Sequence, residues 1–155
     1  MRSRTSLAGL FLALALSGSP ALAGDMAVVV HPKVSVSDLS FAEIRKVLLG
    51  DRQFWSANEP ITLLVRAPTA PERTILLQKI YDMTEAQFKQ YWVAKVFRAE
   101  TASGPKIVIS NQMAMGLVEA IEGSVAVVDV KDVRPGMKVL KINGILPGAK
   151  GYPLR

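Results

Sequence analysis

The sequence predicts an α/β domain in which a small mixed sheet is flanked by helices. Two continuous apolar runs, AVVV at 27–30 and SVAVVDV at 124–130, are typical of buried strands. A third run, ITLLVR at 61–66, leads through a Pro-rich turn into the amphipathic segment RTILLQKIY. Strands that alternate with helical patterns in this way favour an α/β architecture.

The first half of the chain carries clear boundaries. Ser40 and Glu43 match a capping box, in which the hydroxyl accepts from the N3 amide and the carboxylate accepts from the cap amide. Gly50 stands where a residue with positive φ would end that helix. His31 follows the first strand and is the only histidine of the chain, so we expect it to be structural or on the surface.

The second half continues the pattern. Thr84 and Gln87 form another capping box, opening a helix that runs to about Arg98. We expect its bulky apolar residues to lie in the core; they are Phe88, Tyr91, Trp92 and Val96. Ser110 or Asn111 caps the next helix, which ends at Gly123. Residues 138–142 alternate like an edge strand.

The N-terminus predicts export. Arg2 and Arg4 precede a ten-residue apolar stretch, LAGLFLALAL, and Ala-Leu-Ala at 21–23 supplies a small–x–small cleavage site. We therefore expect a secretory signal peptide at 1–23 and one domain at 24–155, with a retained anchor as the alternative. The apolar stretch is short for a membrane span, which needs about 20 residues.

Composition and charge limit the function. The chain of 155 residues has a net charge of +6, or +4 without Arg2 and Arg4. Its basic residues are scattered, so we expect no nucleic-acid partner. No cysteine is present, which excludes thiol chemistry. Nucleophile-elbow, P-loop, HExxH and GxGxxG motifs do not occur, so we expect no enzyme activity, no metal and no cofactor.

The strand–turn–helix unit at 61–81 is the candidate binding element. Backbone N–H groups at a helix N-terminus that follows a strand's carboxyl end can bind an anion. Arg66, at the end of the strand, would add a positive charge beside them. The same geometry also fits an ordinary βα unit with a surface arginine, and the local pattern leaves both interpretations open.

Four stretches together resemble one lobe of the phosphate-binding branch of the periplasmic solute-binding proteins, the type II periplasmic binding protein fold. They are LSFAEIRKVLLGDRQFW (39–55), ITLLVR (61–66), GSVAVVDV (123–130) and VLKINGILPGAKGYPLR (139–155). The resemblance implies a small α/β lobe that is exported and recognises phosphate or a similar oxyanion for an ABC-type uptake system.

The anion contacts of that family imply specific residues here. The family places an Arg at the strand end and Ser-Gly-Thr after three further residues. Arg66 matches the Arg, but Ala-Pro-Glu stands at 70–72. A one-residue shift lets Thr69 replace the Ser, and Arg73 offsets Glu72. We therefore predict ligand contacts from Arg66, Thr69 and Arg73, while Thr69 and Glu72 also match a capping box that would compete for the helix end.

The resemblance leaves two functions to compare. One is periplasmic recognition of a phosphate-like oxyanion and its handover to a membrane transporter, with a second copy of the chain or another protein supplying the facing wall of the cleft. The other is a single-lobe protein-interaction module of the cell envelope that has lost solute binding, as Pro71 and Glu72 suggest. In both cases we expect no membrane insertion after signal cleavage.

Overall fold

The structure, a computed structural model, describes residues 24–155, so the predicted signal peptide at 1–23 lies outside the described residues. Within this range, strands and helices alternate along the chain. The strands are β1 (Met26–Val30), β2 (Asp38–Leu39), β3 (Phe54–Ser56), β4 (Glu59–Pro60), β5 (Thr62–Arg66), β6 (Lys106–Val108), β7 (Ser124–Asp129), β8 (Lys138–Val139) and β9 (Lys141–Ile142). The α-helices are α1 (Phe41–Leu48), α2 (Pro71–Ile75), α3 (Glu85–Phe97) and α4 (Asn111–Ala120).

A five-stranded mixed sheet in the order β6–β5–β7–β1–β8 forms the centre of the fold. β5 runs parallel to both β6 and β7, whereas β1 is antiparallel to β7 and β8. Every residue of β1 and β7 is buried, as their continuous apolar runs predict. The predicted small mixed sheet flanked by helices is therefore confirmed.

Helices cover both faces of this sheet. On one face, Val28 and Val127 belong to the same apolar core as Ile44 of α1 and Trp92 of α3. On the other face, Val128 packs with Met115 and other residues of α4. The alternating side chains of each strand thus reach two separate cores.

Most predicted helix boundaries are confirmed. Both capping boxes form, from Ser40 to Glu43 and from Thr84 to Gln87. Gly50 follows α1 with a φ of +70°. The expected core stripe of α3 is only partly buried, because the helix meets the core along the side that carries Phe88 and Trp92 and turns Val96 outward.

The helix after α2 differs from the sequence prediction of a regular amphipathic α-helix. Residues Leu76–Tyr81 form a π-helix, a wider coil that is rare and often marks a site of local adjustment. Arg45 of α1 donates through Nε to the Ile80 carbonyl at 2.9 Å, and the Tyr81 hydroxyl donates to the Leu48 carbonyl. Burial raises the pKa of Tyr81 far above its usual value. These bonds fasten the π-helix to α1.

We expect Gly123→Ala to destabilise the fold by at least about 2 kcal/mol. Gly123 has a φ of +77°, and an added Cβ would lie 2.1 Å from the Pro60 carbonyl oxygen. The matched control is Gly116→Ala in α4, where a Cβ meets nothing within 4 Å. That change should stabilise by about 0.5–1 kcal/mol. Urea denaturation of both variants measures the difference, and equal effects would contradict the steric argument.

Candidate functional site

Three chain segments meet at one edge of the sheet. Because β6, β5 and β7 are parallel neighbours, the residues that follow their carboxyl ends lie close together. Arg66 ends β5, Asn111 begins α4 just after β6, and Asp132 lies in the short 3₁₀ turn (Val130–Asp132) after β7. α2 begins at the same edge and contributes Glu72.

Arg66 is paired with the chain's own carboxylate. Its Nη1 lies 3.1 Å from Glu72 Oε2, with the two side chains 13% and 4% exposed. The same Nη1 donates to Asn111 Oδ1, and Nη2 donates to the Ile109 carbonyl at 3.4 Å. A buried guanidinium needs a compensating negative charge. Glu72 supplies it from within the molecule.

Asn111 joins the two carboxylates at this edge. Its amide nitrogen donates to Glu72 Oε1 and, at 2.8 Å, to Asp132 Oδ2. The cluster of Arg66, Glu72, Asn111 and Asp132 therefore contains two acidic groups and one basic group. Its formal charge is negative, which disfavours an additional anion.

The hydrogen bonding of this cluster is incomplete. Arg66 Nε and Glu72 Oε2 are both buried without a hydrogen-bond partner among residues 24–155. Glu72 Oε2 lies within ion-pair distance of Arg66 Nη1, but the two atoms are not aligned for a hydrogen bond. Arg66 and Glu72 Oε2 therefore attract each other through their opposite charges, without a well-aligned hydrogen bond between them.

Thr69, the second predicted contact residue, is exposed and has a φ of +74°. The predicted capping box from Thr69 to Glu72 is wrong, because Ala70 is the N-cap of α2 and Pro71 its first residue. Glu72 therefore extends toward Arg66 instead of folding back to the helix end.

Arg73, the third predicted contact residue, is buried in a separate arrangement. Its Nε and Nη2 donate to the Glu85 carboxylate at 2.9 and 2.8 Å, and its Nη1 donates to the Arg66 carbonyl at 3.1 Å. The guanidinium carbon lies 4.0 Å from the centre of the Phe88 ring. Arg73 thus joins α2 to α3 and β5. That Arg66, Thr69 and Arg73 contact a ligand stays a prediction.

Two members of the cluster are absent from the predicted site. The sequence patterns indicate only a capping role for Asn111, and Asp132 falls in no predicted motif. A signal exists for Asp132, which follows the predicted strand at 124–130 by two residues. The meeting of both residues with Arg66 depends on the strand order, which local patterns do not determine.

Two concavities lie beside the edge strand β6. One, of about 240 Å³, is lined partly by Arg52, Gln53, Trp92 and Lys106. The other, of about 690 Å³, lies between α3 and β6. Within residues 24–155 no three His, Cys, Asp or Glu side chains cluster as metal ligands, and no helix has the length and apolar character to cross a bilayer.

Comparison with solved structures shows that the described residues have the fold of one lobe of the phosphate-type periplasmic binding proteins. This likeness is seen in structures alone: no protein-family model matches the chain, and no curated protein sequence matches it.

Solved structures from three organisms share the fold. A phosphate ABC transporter substrate-binding protein from Clostridium perfringens, crystallised with phosphate, aligns over 79% of this chain and 46% of its own, at 16% identity and a TM-score of 0.63. PstS from Borrelia burgdorferi aligns over 84% and 54%, at 13% identity and a TM-score of 0.65. An ABC-type phosphate transport receptor from Vibrio cholerae aligns over 80% and 48%, at 16% identity and 0.62. The chain spans about half the length of each.

Proposed function

We propose that the chain is an exported lobe of the periplasmic binding protein fold that acts as a protein-interaction module of the cell envelope, with its anion position filled by Glu72. The single observation that carries this proposal is the ion pair between the partly buried Arg66 and the buried Glu72. The charge that would attract a phosphate is already neutralised inside the molecule.

The electrostatics at the strand ends oppose a second anion. A phosphate that approached Arg66 would meet the carboxylates of Glu72 and Asp132, which share the Asn111 amide. At a separation of 4 Å and an effective dielectric constant near 20, each like-charge contact costs on the order of 4 kcal/mol. Pro71 also removes one amide donor at the start of α2.

Export and periplasmic location are part of the same proposal. The N-terminal pattern of Arg2 and Arg4, an apolar stretch and Ala-Leu-Ala at 21–23 supports secretion. The structural neighbours named above are components of phosphate transport systems, which supports an envelope location for this lobe as well.

A second candidate function is recognition of phosphate or a similar oxyanion for an ABC-type uptake system. It is favoured by the fold and by Arg66 at the end of β5. In this function Glu72 would leave the guanidinium, and Thr69 and Arg73 would add donors. A transporter or a second copy of the chain would supply the wall that keeps water from the anion.

Calorimetric titration of the purified protein with inorganic phosphate tests the proposal. We expect no saturable heat, because Glu72 occupies the position beside Arg66. Saturable binding of phosphate by the unmodified protein would overturn the proposal. Loss of that binding in an Arg66→Ala variant that circular dichroism shows to be folded would locate the anion at Arg66 and favour the second candidate.

A further inference from the structure

An apolar groove lies between α3 and the edge strand β6. Phe88, Trp92 and Val93 of α3 form one side, and Pro105 and Ile107 form the other. We refer to these five residues as the α3–β6 groove. A shallower depression continues from Val93 along α3, toward Phe97.

Part of this surface is exposed to solvent. Phe88 and Trp92 belong to the core and are only 4% and 6% exposed, whereas Val93 is 64% and Ile107 47% exposed, and Phe97 of the adjoining depression is 89% exposed. Single exposed apolar residues are common, but a connected group around a concavity marks a binding surface. The groove therefore offers apolar area that the described residues do not cover.

The backbone of β6 adds a second feature. β6 pairs with β5 on one side and with no other strand of residues 24–155 on its other side. An edge strand presents unpaired N–H and C=O groups, and an extended peptide can satisfy them by adding a strand. A lipid surface cannot supply that pairing, so the strand edge favours a polypeptide as the occupant.

The charges around the groove indicate the chemistry of that polypeptide. Lys89 lines the groove. Lys106 pairs with Leu64 in the sheet and projects from β6 on the face opposite Ile107. Neither exposed lysine forms an ion pair within residues 24–155, whereas Glu85 beside the groove is bonded to Arg73. The free charges beside the groove and along the strand edge are therefore positive and complement carboxylates.

A second copy of the chain fits this surface less well. In a symmetric dimer the same patch lies on both sides, so strand β6 of one copy would face β6 of the other. That arrangement sets the unpaired Lys89 and Lys106 of one copy against the same positively charged surface of the other, which offers no free carboxylate because Glu85 is bonded to Arg73. Charge complementarity instead selects a different chain.

We propose that the α3–β6 groove binds an extended segment of another envelope protein, with alternating apolar and acidic residues, as an added strand beside β6. Apolar side chains of the segment point into the groove, and its carboxylates, which lie on the opposite face of the added strand, meet Lys106. This inference rests on the proposed interaction function and names the surface and the chemistry of the partner.

The probe is a fluorescein-labelled nine-residue peptide that alternates valine and glutamate, titrated with the purified protein by fluorescence anisotropy. We expect saturable binding. Two control peptides carry lysine in place of glutamate, or N-methyl groups on alternate amides that block strand pairing. Both should bind at least about tenfold more weakly. Equal binding of the lysine peptide would contradict the charge argument, and equal binding of the N-methylated peptide would contradict strand pairing. No binding of the valine–glutamate peptide overturns the proposal.

Variants locate the contact. Val93→Glu, at an exposed position, should weaken binding by about tenfold or more without lowering the unfolding temperature. The double change Lys89→Glu and Lys106→Glu should reverse the preference, so that the lysine peptide binds better.

Two further measurements test other occupants of the groove. Concentration-dependent dimers in sedimentation that Val93→Glu abolishes would overturn the proposal in favour of a second copy. Sedimentation of the protein with anionic vesicles would overturn it in favour of a membrane surface. Phosphate calorimetry is independent of these readings, so failure here is distinguishable from failure of the proposed function.

Discussion

Glu72→Ala is expected to lower the free energy of unfolding by about 3–5 kcal/mol, because it leaves the Arg66 guanidinium buried without its counter-charge. The same change empties the position beside that guanidinium. Phosphate should then bind there and restore stability, by about 2.7 kcal/mol at a concentration one hundred times its dissociation constant. Thermal unfolding at increasing phosphate measures both effects.

The control for this prediction is Glu119→Ala. Glu119 also pairs with an arginine, Arg134, but the side chains of both partners are about half exposed, 46% for Arg134 and 49% for Glu119. Removing an exposed partner costs about 1 kcal/mol or less and opens no anion position. Phosphate raises the stability of many proteins through exclusion from their surface, so the comparison is made at matched ionic strength in sulfate and phosphate. An equal response of the unmodified protein and both variants would contradict the prediction.

Adding Asp132→Asn to Glu72→Ala should strengthen phosphate binding, since it removes the second carboxylate.

Arg73→Ala is expected to destabilise the protein by about 3–4 kcal/mol. Its guanidinium is 5% exposed, donates twice to Glu85 and once to the Arg66 carbonyl, and lies against the Phe88 ring. The truncation removes these contacts together and leaves a cavity beside Phe88. Urea denaturation measures the loss.

Two comparisons separate the causes. Arg73→Lys keeps the charge but lacks the planar fork that contacts Glu85 twice, so it should lose roughly half as much stability. Arg98→Ala removes an arginine whose side chain is 56% exposed and paired with Glu100, and should change little. If Arg73→Ala were as mild as Arg98→Ala, the structural role of Arg73 would be contradicted.

Local sequence patterns predict the elements of this fold well. Ser40, Thr84 and Ser110 cap their helices as their spacing predicts, because capping depends on residues three positions apart. The buried strands follow from apolar runs, since a strand covered on both faces needs no alternation. Predictions of secondary structure are thus most accurate where the residues that cause the structure are close together in sequence.

The failures have non-local causes. The π-helix at Leu76–Tyr81 is fastened by Arg45 and by the Tyr81 hydroxyl, which contact α1 from a distance in sequence. Thr69 and Glu72 have the spacing of a capping box, but the Glu72 carboxylate pairs with Arg66 instead. The spacing alone gives no indication of that ion pair. The cluster at the strand ends likewise depends on strand order. The sequence predicts that Glu72 hinders anion binding, and the structure shows that its carboxylate lies beside the Arg66 guanidinium.

The self-contained pairing of Arg66 with Glu72 has a consequence for how such lobes diverge. Glutamate codons differ from alanine and glycine codons by a single nucleotide. A substitution that exposes the guanidinium, or one that conceals it again, is therefore accessible in one mutational step. Under the proposed function, one such substitution would separate a form of this lobe that binds an anion from one that does not, so residue 72 is the position to compare among sequences of this fold.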